Sequence, residues 1–296
     1  MKKNTLFIAF FMIVAVFCAV QAVVSVSELH ASQAPDDLGG VMVSPTRIVF
    51  DGRKRSASLA LINRSNKTVN YRLSFVQYRI NEEGKFQTIT EPGPDEHFAS
   101  DYVRFTPRSV VLKQNQVQTV RLQLRKPSEL AAGEYRSHLL FQVIPETVNA
   151  LDTISVRQSL RVSIVPVFGL SIPVIVRIGK LTAVTRLTNL RLVARAKPAE
   201  RNLLLNIERE GDRSVYGDLL VEWKAPGHEK VVVGRVNGIS VHMPNVKRSL
   251  SLLLLHPKGT DLKGGMLSVR YIDSLGSGDF DSKLDRVFAQ SDIAIP

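Results

Sequence analysis

The chain has little cysteine, little tryptophan, few acidic residues for its size and no helical periodicity. Its 296 residues include one cysteine and one tryptophan. The cysteine, Cys18, lies in the N-terminal apolar run, so a chain cut beyond it has no thiol and no disulfide. Its stability must then come from its core, even in a compartment that would permit disulfides. No stretch of about a dozen residues carries an apolar stripe at helical spacing. Beyond the N-terminal run no segment is long and apolar enough to span a bilayer; Leu252–Leu255 is the nearest approach. There are 27 acidic residues against 39 lysines and arginines, a formal charge of +12. The basic residues stand singly between apolar ones rather than in blocks. That argues against nucleic acid and for acidic partners or anionic surfaces. There is no Gly-x-Ser-x-Gly elbow and no phosphate loop. The six histidines (His30, His97, His138, His228, His242 and His256) are isolated from one another and from carboxylates at metal spacing. No catalytic residue, metal ligand or cofactor site is expected. An enzyme would need a site assembled only by the fold.

The first residues have the pattern of an export signal. Met1-Lys2-Lys3 supplies the charge, Leu6–Val20 the apolar run, and Val20-Gln21-Ala22 a small-residue cleavage site. Cleavage is expected after Ala22 rather than Ala34, which Pro35 follows. The other reading of this segment is an uncleaved membrane anchor. Phe17 before Cys18 argues against a lipoprotein signal. The expected division is a signal peptide over 1–22, a loose mature N-terminus over 23–40, and order from Val41.

From Val41 onward, short alternating runs are separated by turn residues. Strands are expected over Val41–Phe50, Ser56–Ile62, Val69–Ile80, Phe86–Thr90, Tyr102–Leu112 with a break at Pro107, Val117–Leu124 and Tyr135–Ile144. Asn81–Gly84 reads as a hairpin turn, Glu91–Asp101 as a Pro/Gly-rich loop and Pro127–Ala132 as a single helical turn. About seven strands in about 110 residues argue an immunoglobulin-like sandwich. The second half reads the same way, with strands over Leu187–Ala196, Leu203–Arg209, Asp218–Lys224, Lys230–Val236, Leu250–Leu255 and Met266–Ile272. Turns are expected at Asn237-Gly238 and Gly264-Gly265, among other places.

Between the halves runs Thr153–Arg177. Its even positions, from Ile154 to Val176, are all apolar except Gln158; its odd positions begin Thr, Ser, Arg, Ser, Arg, Ser. Strict period-2 alternation marks a strand with one buried face. At about 3.3 Å per residue the run could reach roughly 80 Å, more than one small domain needs. Pro166 and Pro173 lack a ladder donor and confine such a strand to an edge or a bulge. A long apolar strand leaving one domain for the next is therefore expected, with an edge open to another chain. The plainer alternative is an ordinary hydrophobic strand crossing a domain junction. Arg47, in Ser44-Pro-Thr-Arg47-Ile-Val-Phe50, is charged among apolar residues. It is either a solvated outward arginine or an anion hook in a cleft, where its planar fork suits a carboxylate.

Several of these segments share an order. Ser44–Phe50 is followed by Ser58-Leu-Ala-Leu-Ile-Asn63, Val110-Val-Leu112, Gln118-Thr-Val-Arg121-Leu, Tyr135–Pro145 and the alternating strand. In this order, over about residues 41–177, the chain resembles the periplasmic pilus (fimbrial) chaperones of the chaperone–usher pathway, in a divergent branch. The second half matches only in being β-rich. The resemblance implies an all-β fold of two immunoglobulin-like β-sandwich domains in a boomerang arrangement joined by the long edge strand. The N-terminal domain with its donor strand would cover 41–177, and the C-terminal sandwich 178–296. It implies a periplasmic chaperone, not an enzyme and without cofactor. Such a chaperone binds pilin subunits by lending them a strand and hands them to an outer-membrane usher. Nucleic acid and stable membrane insertion after signal cleavage are not expected. Donor residues would be Leu160, Val162 and Ile164, with Pro166 and Phe168 beyond them. Arg47 falls at the family's cleft arginine, which anchors the client's C-terminal carboxylate. Many members carry a lysine as second anchor where this chain has Ser171; Arg108 is the expected replacement. The second domain also lacks the cysteine pair some members have. The competing class is an exported structural or adhesive β-sandwich protein without chaperone activity.

Overall fold

The computed structural model describes residues 40–145, 167–195, 200–255, 262, 264–273 and 286–295. The expected signal peptide and loose N-terminus, and the donor residues Leu160, Val162, Ile164 and Pro166, lie outside the described residues. What is described is β-structure, with a single 3-10 turn at Ala99–Asp101.

The first sandwich contains β1 (Val41–Ser44), β2 (Ile48–Phe50), β3 (Ser56–Asn63), β4 (Val69–Ile80), β5 (Phe86–Ile89), β6 (Val103–Thr106), β7 (Ser109–Leu112), β8 (Val117–Leu124), β9 (Gly133–Val143) and β10 (Gly169–Ile178). One sheet has the order β1-β3-β8-β6; the facing sheet has the order β2-β10-β9-β4-β5, with β7 also on β4. Two of the expected strands are each split between the sheets. Val41–Phe50 breaks at Pro45: β1 pairs antiparallel with β3, and β2 pairs parallel with β10. Tyr102–Leu112 breaks at Pro107: β6 pairs with β8 and β7 with β4. A proline has no N–H to give a ladder, so each strand stops there and the chain crosses to the opposite layer. The core between the layers takes Leu61, Val120 and Leu122 from one sheet and Leu139, Phe141, Val174 and Val176 from the other. Each such side chain contributes roughly 1.5–3 kcal/mol by leaving water. The helical turn expected at Pro127–Ala132 is absent, and the one helical turn falls instead inside the loop expected over Glu91–Asp101.

The second sandwich contains β11 (Ala183–Ala194), β12 (Arg201–Gly211), β13 (Val215–Lys224), β14 (Val231–Val241), β15 (Lys247–Leu254), β16 (Met266–Ile272) and β17 (Val287–Ala294). A sheet β11-β12-β15 faces a sheet β14-β13-β16-β17. Trp223 is buried in the core between them and donates its indole N–H to the Gly264 carbonyl at 2.9 Å. Asn237-Gly238 does not turn the chain, contrary to expectation. β14 runs through it, with irregular register against Gly217–Leu219. Gly238 has φ +73° and its N–H donates to Asp218 Oδ1 at 2.8 Å, so the glycine serves a bulge rather than a hairpin. β17 has no counterpart in the sequence reading; its apolar residues are diluted by Gln290, Ser291 and Asp292, and its faces are only half-buried.

Strand β10 carries the chain from one sandwich towards the other and ends at Ile178, just before Gly179, whose φ of +86° suits glycine. Its edge character is confined to one half. Antiparallel pairing with β9 runs its full length, whereas β2 lies alongside only at Val174–Val176. From Gly169 to Pro173 the other side of β10 has no neighbouring strand among the described residues.

Candidate functional site: an arginine-lined cleft and an open strand

The two sandwiches meet through polar side chains. On β9, Tyr135, Leu139 and Phe141 enter the first core, so by strand alternation Glu134, Arg136 and His138 face the other way. Arg177, near the end of β10, is buried and donates from Nε to Glu134 Oε2 at 3.1 Å and from Nη2 to the Ser214 carbonyl at 3.2 Å. The Ser214 N–H donates to the same Glu134 oxygen at 3.1 Å, and Asp51 Oδ2 lies 3.7 Å from Arg177 Nη1. Arg177 thus ties β9, β10 and the start of the second sandwich together. A second tie is the β4–β5 hairpin. Glu82 accepts a backbone bond from Ser249 at 2.8 Å and pairs with Lys247 at 2.9 Å, while Asn245 donates to the Ile80 carbonyl.

Beside the first tie is a cleft of about 310 Å³, with Arg47, Arg177, Arg213, Tyr216, Asp273 and Phe288 among its lining residues. Arg47 sits in the link between β1 and β2, where the chain changes sheet, and that change aims it at the second sandwich. Its guanidinium stacks over the Tyr216 ring at 4.7 Å, and its Nε is buried with no hydrogen-bond partner among the described residues. Burial lowers its pKa, Arg177 lowers it further, and Glu134 opposes the shift. Arg213, in the loop entering β13, has the same signature. Its Nε is buried with no partner among the described residues, and its pKa is lowered first by burial and then by Arg177, against Asp273 and Asp51. An unpaired buried donor costs about 1–3 kcal/mol, and an incoming anion would remove that cost.

The sequence-predicted residues separate in space. Arg47 lines the cleft; Arg108 does not, being exposed and stacked over Phe105 at 4.8 Å. Ser171 is paired with Leu140 in the open half of β10 and is likewise absent from the cleft lining. Sequence reasoning passed over Arg177 and Arg213. Arg177 had a signal, being the only charge in the Val162–Ile178 stretch; Arg213, in a polar turn, had none.

The open half of β10 carries the other candidate feature. Even positions face the first core, where Ile172 is 2% exposed, yet Leu170 is 36% and Phe168 37% exposed. The core-facing parity therefore emerges into solvent towards the N-terminal end of the strand. The Phe168 carbonyl still accepts from the Val143 N–H at 3.0 Å, so the pairing with β9 continues to that point.

Two histidines isolated in the sequence are neighbours in the fold. His138 and His242 are both buried, each with its Nδ1 unpartnered among the described residues. Burial, then Arg136, pushes His138 down to about 3. His242 is pushed well below the usual range by burial, then by Arg136, His138, Arg47 and Arg177. Among the described residues no group of three or more His, Cys, Asp or Glu could hold a metal ion, and no helix is long and apolar enough to cross a membrane.

No family model matches this chain, and no curated protein matches it. Among solved structures it is similar to the CupB2 chaperone of Pseudomonas aeruginosa, with 12% identity, 86% of this chain and 100% of that chain covered, and a TM-score of 0.43. It is similar to the YadV chaperone with 12% identity, the same coverage of 86% and 100%, and a TM-score of 0.41. A third is the SafB chaperone of Salmonella enterica in complex with the SafA pilin, with 14% identity, 87% and 95% covered, and a TM-score of 0.37. All three are chaperones, the third bound to a pilin, and at such scores the likeness says nothing about what this chain binds.

Proposed function

We propose that this protein is a periplasmic chaperone that stabilises pilin subunits by donor-strand complementation and delivers them to an outer-membrane usher for pilus assembly. The observation that carries the reading is the open half of β10. It has an unpaired side from Gly169 to Pro173 and an apolar parity that surfaces at Leu170 and Phe168. The sequence extends that parity back through Pro166, Ile164, Val162 and Leu160. A pilin lacking its last strand exposes an apolar groove and unpaired backbone groups. A lent strand fills both, each aliphatic side chain contributing roughly 1.5–3 kcal/mol before ordering costs. The arginine cleft then takes the client's terminal carboxylate at Arg47. The reading needs no cofactor and no catalysis; transfer to the usher runs on binding and folding energy.

The test is co-purification of a pilin subunit with two neighbouring variants. Ile164→Asp puts a charge on the donor parity and should lose the client while the isolated chaperone melts as before. Ser163→Asp lies on the other parity and should keep it. Equal capture by both variants would exclude pairing through this face. Unfolding of Ile164→Asp alone would assign the residue to the protein's own core, in favour of a structural or adhesive role.

A further inference from the structure

Building on the reading of the cleft as a carboxylate seat, we propose that Arg213 is its second anchor, so that a client's terminal carboxylate is held by one arginine from each sandwich. Arg177 cannot serve as that anchor. Its Nε is bonded to Glu134, its Nη2 to the Ser214 carbonyl, and its Nη1 lies 3.7 Å from Asp51. Arg47 and Arg213 line the same cleft, and each has a buried Nε with no partner among the described residues. The position where a second basic anchor is expected holds Ser171, which does not line the cleft. Asp273 also lines it, and Glu134 and Asp51 lie beside Arg177, but the four arginines Arg47, Arg177, Arg213 and Arg286 outnumber these three carboxylates and leave the seat net positive.

The chemistry of the occupant follows from the lining. A carboxylate has two oxygens with about four acceptor directions and can take bonds from two guanidinium forks at once. Pro45, Val49 and Phe288 give the rest of the cleft an apolar wall. Its volume of about 310 Å³ is about ten times the ~30 Å³ share of one water molecule. The seat therefore fits a chain terminus with an apolar last side chain better than a small hydrated anion. Because Arg47 and Arg213 belong to different sandwiches, the bound carboxylate also bridges them.

The experiment follows the arginine Nε–H resonances of the full chain during titration with three probes. These are acetyl-Val-Thr-Val-Thr-Phe with a free carboxylate, the same peptide as its C-terminal amide, and inorganic phosphate. Arg47→Lys and Arg213→Lys assign the signals. The acid should move the Arg47 and Arg213 signals together, with one saturation curve, and the amide and phosphate should move neither. Arg213→Lys, which keeps the charge but loses the fork, should weaken the acid's binding about tenfold. Movement of Arg47 alone overturns the role of Arg213 and leaves the carboxylate seat standing. If the acid moves neither signal, the seat itself falls. An equal response to the amide overturns a carboxylate interaction, and an equal response to phosphate reduces the site to a general anion seat.

Discussion

Arg177 and Arg47 carry the same side chain at neighbouring places in different company. Arg177 is buried with its hydrogen bonds made, so removing its partner strands a charge away from water. Glu134→Ala is expected to destabilise the protein by about 3–5 kcal/mol, the usual cost of breaking a buried ion pair from one side. Denaturant melts would show it as a lower midpoint, and an unchanged midpoint would mean that solvent replaces the carboxylate. Arg47 makes no ion pair among the described residues, and its guanidinium stacks on Tyr216. Arg47→Ala should leave the melt nearly unchanged and reduce capture of a pilin by about 2–5 kcal/mol of binding, read by quantitative pull-down. Full capture would leave Arg47 as a stacking partner of Tyr216 with no part in holding the client. The sequence singles out Arg47 by its charge among apolar residues, but its company depends on contacts that cross from one sandwich to the other.

At the scale of elements, periodicity and prolines made most strands legible. The break at Pro107 was visible too, whereas Val41–Phe50 read as one strand without the break at Pro45, and nothing showed that each break sends its strand to the other sheet. That depends on which neighbour offers a free edge. The β4–β5 hairpin shows the same division. Asn81–Gly84 reads as a turn from its residues alone, yet only the fold brings it against β15. Gly84 has φ +80°, and a Cβ there would run into the Arg248 guanidinium. Gly84→Ala should cost about 1 kcal/mol or more, from the left-handed backbone and the displaced arginine. The matching readout is the Arg248 Nε–H signal, which should shift in the variant. A wild-type midpoint with an unmoved Arg248 would show that the hairpin does not press on the second sandwich.

For the whole molecule, the polar junction between sandwiches should make stability depend on pH. His138 faces Arg136, and His242 faces Arg136, His138, Arg47 and Arg177. Both are held neutral in the fold, whereas in the unfolded chain they take a proton near pH 6.5. Below about pH 6.5 the unfolded state binds more protons, so stability is full above that value and falls as pH falls towards about 3 for His138. The slope is at most about 1.4 kcal/mol per pH unit for each histidine. Glu96, its pKa lowered chiefly by the hydrogen bond from Arg79, adds a loss only below about pH 4.5. Thermal melts followed by Trp223 fluorescence should drop from about pH 7 to about pH 5, and His242→Gln should flatten that drop. A wild-type melt independent of pH over this range would mean that water reaches both rings.

By itself the sequence determined the class of the molecule. Alternating apolar residues, turn residues and the absence of a helical stripe leave a chain with a single cysteine little choice but paired sheets around apolar cores. It also determined which parity of the Thr153–Arg177 run is apolar, because side chains alternate whatever the strand pairs with. Only the tertiary structure decided which polar groups are buried together. Arg47, Arg177, Glu134 and Arg213 come from four separate segments, and His138 and His242 are just as far apart along the chain. Their burial and electrostatic company depend on the contact between two sandwiches, and charge–charge distance across that contact leaves no periodic trace in a sequence.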